Sequence, residues 1–167
     1  MANPRDWYSD SRETIKEIYG EDWQLVCAIL AATSARASLP CNVTLARKAY
    51  NQIKQGYVQR EGFINAHYKG LLSVIKTSKP RGRKCNALYQ NLIGNETEVP
   101  VDIWMMRYSG LPRTQPTRED YDWIEDNVRQ EAKELGITTA QRQAEIWVIA
   151  RKDSRSYADY LRQYRMI

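Results

Sequence analysis

Residues 79–110, KPRGRKCNALYQNLIGNETEVPVDIWMMRYSG, set one lysine and one aspartate at the mouths of two successive helices. The stretch opens on a basic cluster, Lys76, Lys79, Arg81, Arg83 and Lys84, broken by Pro80 and Gly82. Leu88, Leu92 and Ile93 mark the apolar side of a helix over 83–93, which Gly94 and Asn95 stop. Pro100-Val101-Asp102 then leads into a second apolar run, Ile103-Trp104-Met105-Met106. Asp102 stands where an N-cap belongs, with its carboxylate aimed at the first free backbone N–H groups. Gly82 has the freedom to bring backbone N–H groups close to an anion, and a helix N-terminus adds its dipole there.

The flanking sequence is helical in pattern. Residues 5–19 and 22–34 form two helices, the second so apolar (DWQLVCAILAATS) that it belongs in the core. A loop over 34–42, stopped by Pro40, leads to a helix over 42–55 with Asn42 as its cap. A helix over 60–77 precedes the turn Lys79-Pro80-Arg81-Gly82. After a proline-containing loop at 111–118, Thr117 and Asp120 give a capping-box start to a helix that ends at Gly136. Thr138 or Thr139 caps the next helix. A last helix, about 156–164, carries Tyr157, Tyr160, Leu161 and Tyr164. No alternating β pattern runs beyond a few residues. The expected fold is all-α, about eight or nine helices, with residues 1–167 in one structural unit.

Composition narrows the function. The formal net charge is +5, with basic residues concentrated in 76–84 and 142–165 and acidic ones at the N-terminus and in 119–134. That distribution suits a polyanionic partner or a merely uneven solvated surface. No apolar run approaches the ~20 residues of a membrane span, and the N-terminus lacks the apolar core of a secretory signal. Cys27, Cys41 and Cys85 lack the spacing of a disulfide framework or zinc site. Together these point to reduced thiols, a cytoplasmic location, a monomer, and no metal or other cofactor.

The pattern Gly82-Arg83-Lys84, a helix, then Val99-Pro100-Val101-Asp102 with Arg107 further on, resembles the core of the helix-hairpin-helix DNA glycosylases, their endonuclease III-like branch above all. The resemblance covers roughly residues 22–110. Ile29-Leu30-Ala31-Ala32-Thr33-Ser34 followed by Asn42-Val43-Thr44-Leu45-Ala46 is similar to that family's second and third helices. Two departures stand out. The hairpin turn lacks one glycine and the apolar residue, and Ile103-Trp104 replaces the histidine usual after the aspartate. No cysteine follows Cys85, so the iron–sulfur cluster of many relatives has no ligands here.

The resemblance implies a two-lobed helical bundle that binds double-stranded DNA, with a nucleoid-associated location. It implies Asp102 as the catalytic carboxylate and Lys84 as the nucleophile. Lys79, Arg81, Gly82, Arg83 and Arg107 become DNA contacts. Thr33 or Ser34, with Arg36 nearby, takes the place of the residue pushed into the duplex. Trp104 and His67, the only histidine, become candidates for the base pocket. Each has a plainer reading: Asp102 as a cap, Lys84 as a phosphate contact, Trp104 as core and His67 as a satisfied core histidine. The chemistry needs this set because breaking a base–sugar bond builds positive charge on the sugar. A fixed carboxylate stabilises that charge, and a lysine amine or a water attacks. Three functions stay open: base excision with or without strand cleavage, modification of thymine-derived bases as in phage proteins resembling this superfamily, and DNA binding without chemistry.

Overall fold

A computed structural model describes residues 3–165, with side chains as far as Gln163. The described residues form nine α-helices and no strand. They are α1 (Trp7–Tyr19), α2 (Trp23–Ala32), α3 (Leu39–Lys54), α4 (Asn65–Thr77), α5 (Arg83–Ile93), α6 (Ile103–Tyr108), α7 (Arg118–Leu135), α8 (Thr139–Arg151) and α9 (Tyr157–Arg165). The all-α expectation holds. The side chain of Tyr164, counted in the apolar set of the last helix, lies outside the described residues.

The helix ends follow local chemistry. Thr117 and Thr138 each form a reciprocal capping box, with Asp120 and Gln141. Glycines close α5 and α7 in left-handed conformations, Gly94 at φ 111 and Gly136 at φ 68. The Arg12 guanidinium then crosses from α1 to cover the open end of α5. Its Nε donates to Leu92 O at 2.9 Å and its Nη2 to Asn91 O at 3.0 Å.

Two helix starts differ from the sequence reading by three residues or more. α3 starts at Leu39, so Ser38 is the cap, its hydroxyl accepting from Cys41 N at 3.4 Å. Pro40 sits in the first turn, where a missing N–H costs nothing. Asn42 therefore lies inside the helix and is 1% exposed. Its Nδ2 donates to Leu30 O and Thr33 Oγ1 at 2.9 and 2.8 Å, while its Oδ1 accepts from Tyr157 OH. α4 starts at Asn65 instead of residue 60, because Gly62 turns the chain at φ +86 just before it.

The apolar side chains gather into two clusters. The larger draws on α1 to α5, Ala140 and Ala144 of α8, and Tyr157, Tyr160 and Leu161 of α9. The smaller holds Val99, Val101, Met105, Met106, residues of α7, and Ile146 of α8. α8 thus serves both clusters and shows no single apolar stripe. α1 packs against α9, so the first and last described α-helices both belong to the larger cluster. α2 and α4 cross at Gly70, where any Cβ would lie 3.2 Å from Ala32 Cβ.

Asn42 ties α2, α3 and α9 together through buried hydrogen bonds, so its loss strands several polar atoms at once. Each unpaired buried group costs about 1–3 kcal/mol. Asn42→Ala should lower the thermal midpoint by at least about 4 °C, at roughly 2–4 °C per kcal/mol for this size. A midpoint within 1–2 °C of the parent in calorimetry would show that the network contributes little.

Candidate active site

One cleft of about 770 Å³ opens where the two clusters meet. Its lining draws on α1, the 34–39 loop, the starts of α3, α5 and α6, the 114–116 loop, α8 and α9. Lys84 and Asp102 both line it, so the fold brings the two opening residues into one space. Ser34, Arg36 and Trp104 line it as well. The volume falls within the ~300–1,000 Å³ of sites that enclose a small ligand.

Asp102 is fixed by three donors. Its Oδ1 accepts from the backbone N–H groups of Trp104 and Met105, each at 3.0 Å, as an N-cap should. Its Oδ2 accepts from the Trp147 indole N–H at 2.8 Å, reaching from α6 to α8. The cap orients one oxygen and the indole the other. The carboxylate is half-buried and faces the cleft.

Trp147 is in turn held in an aromatic group beneath the cleft. Its ring meets Trp7 edge-on at 5.0 Å, and Trp7 packs against Tyr8 at 5.0 Å and Tyr157 at 5.2 Å. Such pairs contribute about 0.5–1.5 kcal/mol each beyond their burial. Tyr8 donates to Gln143 Oε1 at 2.7 Å, and Gln143 Nε2 donates to Pro100 O at 3.4 Å. Burial raises the Tyr8 hydroxyl well above its ordinary range, with the Asp102 charge adding to the shift. Burial likewise raises Tyr157. Both phenols therefore remain neutral donors at the cleft wall.

Lys84 is the second residue of α5, after Gly82 at φ 90. Beside it, burial pushes the Cys85 thiol up, against the opposing pull of Lys84 and the Ser34 hydroxyl. Cys85 is thus no activated thiolate. Among the described residues, no group of three or more His, Cys, Asp or Glu could hold a metal ion.

The remaining sequence candidates lie elsewhere. Arg83 turns away to α7. Its guanidinium sits 2.7 Å from Asp122 Oδ1 and 3.2 Å from Glu125 Oε2, and 3.9 Å over the Tyr121 ring. Those partners compete with any phosphate. Lys79, Arg81 and Gly82 are exposed on the turn outside the cleft lining. Arg107 is exposed and stacks 4.8 Å over Trp104, bracing the cleft wall from behind. Thr33 is fully buried, donating to Ile29 O at 2.9 Å, so of the three wedge candidates only Ser34 and Arg36 face open space. His67 is 3% exposed and absent from the lining; its Nε2 lies 2.6 Å from Ala35 O and so steadies the loop that carries Arg36. Sequence reasoning missed Trp147, Arg151, Gln143, Tyr8 and Tyr157 as cleft residues.

The indole-to-carboxylate bond can be removed on its own. Trp147→Phe keeps a six-membered ring against Trp7 and loses the donor to Asp102 together with the pyrrole part of the indole. A hydrogen bond to a charged group contributes about 1.5–3 kcal/mol, so unfolding in urea should shift by about that amount with an unchanged slope. A shift under about 0.5 kcal/mol would mean that the cap alone fixes Asp102.

No curated protein and no solved structure matches the chain. Residues 1–154 match a family of unknown function, DUF7178, and that span takes in every helix but α9 and all of the cleft lining except Tyr157. The chain belongs to this family.

Proposed function

We propose that the protein binds double-stranded DNA and cleaves the N-glycosidic bond of a damaged or modified base drawn into the cleft. The observation that carries this reading is the shared cleft. Lys84 at the start of α5 and Asp102 at the cap of α6 line one space walled by Trp104 and Trp147. Flat side chains at a cleft suit a base taken out of the stack. A net charge of +5 suits the phosphate backbone.

Asp102 supplies a fixed negative charge to the sugar as the base departs. Because three donors orient it beforehand, little reorganisation is needed when positive charge develops. Lys84, in its neutral form, gives its nitrogen lone pair to the anomeric carbon. The bond from that carbon to the base breaks, and the base leaves with the electron pair and takes up the proton shed by the attacking nitrogen. The resulting N,O-acetal opens to a Schiff base as the bond to the ring oxygen breaks and that oxygen takes a proton; loss of the C2′ proton then expels the 3′ phosphate and cuts the strand. With water in place of the amine, the same carboxylate supports base release alone. A second reading, transfer of a small molecule onto a modified thymine through the same pair, is favoured by the breadth of the cleft and by Arg36 and Arg151 in its lining.

A panel of duplexes carrying different modified bases tests the reaction. Asp102→Asn is the informative variant, because Asn also caps helices well; its amide nitrogen then faces the Trp147 indole donor, so its folding is checked by calorimetry alongside its activity. Base release should fall by about 10²–10³-fold. Borohydride should trap the parent protein on its substrate and fail to trap Lys84→Gln. Full base release by Asp102→Asn would overturn the mechanism. A new nucleoside in digested DNA, formed without free base, would favour transfer.

A further inference from the structure

We propose that Arg151 forms an oxyanion subsite in the cleft, apart from Lys84 and Asp102, that takes the phosphate or carboxylate group of the cleft's ligand. The inference rests on reading the cleft as a nucleotide-sized pocket and asks what else, besides the reacting pair, the ligand must present.

Arg151 is the last residue of α8, and its side chain lines the cleft. The guanidinium lies 4.7 Å over the Trp147 ring. Trp147 is itself pinned by Trp7 and by the Asp102 carboxylate. The arginine fork therefore has a fixed floor, and stacking leaves its in-plane N–H groups free to bond. Nη1 is buried and has no hydrogen-bond partner among the described residues. Buried guanidinium donors are ordinarily satisfied, so this donor is one that a bound group would complete.

The nearby charges do not fill that role. Asp153 lines the same cleft and feels the charge of Arg151, but Arg155 holds its two oxygens at 3.0 and 2.9 Å. Asp102 is committed to Trp147 and to its backbone donors. Among the described residues, Arg36, Lys84 and Arg151 take part in no ion pair, although each lines the cleft. Three cations without carboxylate partners face one space. A purely structural arginine at a helix end would satisfy itself on the last carbonyls of its own helix. Arg151 instead lies over Trp147, at the joint that also holds Asp102. An anion on Arg151 would thus steady the ring that orients the candidate catalytic carboxylate.

The test is equilibrium binding by calorimetry on the full chain without DNA. The ligands are the four deoxynucleosides, their 5′-monophosphates, inorganic phosphate and succinate. At least one anion should bind, and a monophosphate should bind at least tenfold more tightly than its nucleoside. Arg151→Gln should abolish that preference. Arg151→Lys should retain part of it, because a point charge replaces the planar fork. Equal affinity of the unaltered protein for nucleoside and monophosphate, with no binding of phosphate or succinate, would overturn the proposal whatever the variants do. So would an Arg151→Gln protein that keeps the preference.

A duplex titration at several salt concentrations then separates the sources of the anion. If it is a backbone phosphate, Arg151→Gln lowers the salt slope by about one. If it belongs to a free small molecule, the slope is unchanged. Because no base release is measured, the subsite can stand where the glycosylase reading fails, and fall where that reading succeeds.

Discussion

The hydrogen bond from the Trp147 indole to Asp102 Oδ2, 2.8 Å long, is the joint on which the cleft depends. It links α8 to the cap of α6, and thereby the larger apolar cluster to the smaller one. Each partner is held by something else. Asp102 is fixed by two backbone N–H groups. Trp147 is fixed by Trp7 from below and covered by Arg151. The same carboxylate ends a helix and faces the cleft, so its structural and chemical roles share one geometry.

The distribution of charge follows the same division. On the turn between α4 and α5, Arg83 is neutralised by Asp122 and Glu125 of α7. Lys84, one residue later, lines the cleft and takes part in no ion pair among the described residues. A helix turns successive side chains by about 100°, so adjacent residues serve different surfaces. The outcome is that cations line the cleft, while Arg83 beside it is paired and Lys79 and Arg81 stay exposed on the turn.

Much of the fold can be read from single residues. Asp102, Thr117 and Thr138 are cap residues by chemistry, and each caps the helix that its position suggests. Gly94 and Gly136 end helices as their lack of a Cβ allows. Asn42 misleads, because its amide is as good a cap by type as Ser38, and only its contacts with Leu30, Thr33 and Tyr157 assign it to the interior. The cleft is half legible. Lys84 and Asp102 stand out because each opens a helix. Trp147 and Arg151 do not, because α8 faces two clusters and shows no one-sided pattern. Their partners are distant in the chain, and no local spacing encodes such a meeting. The ion pairs of Arg83 are hidden for a related reason, since its acidic partners lie on a helix that follows it by about 40 residues.

The most direct measurement is photocrosslinking to a duplex in which one pyrimidine carries a 5-iodo group, followed by mass spectrometry of the peptides. A base drawn into the cleft lies against aromatic side chains, so the adducts should fall on Trp104 or Trp147. Adducts confined to the exposed turn around Lys79 and Arg81, with none on α6 or α8, would contradict the claim that the cleft receives a base.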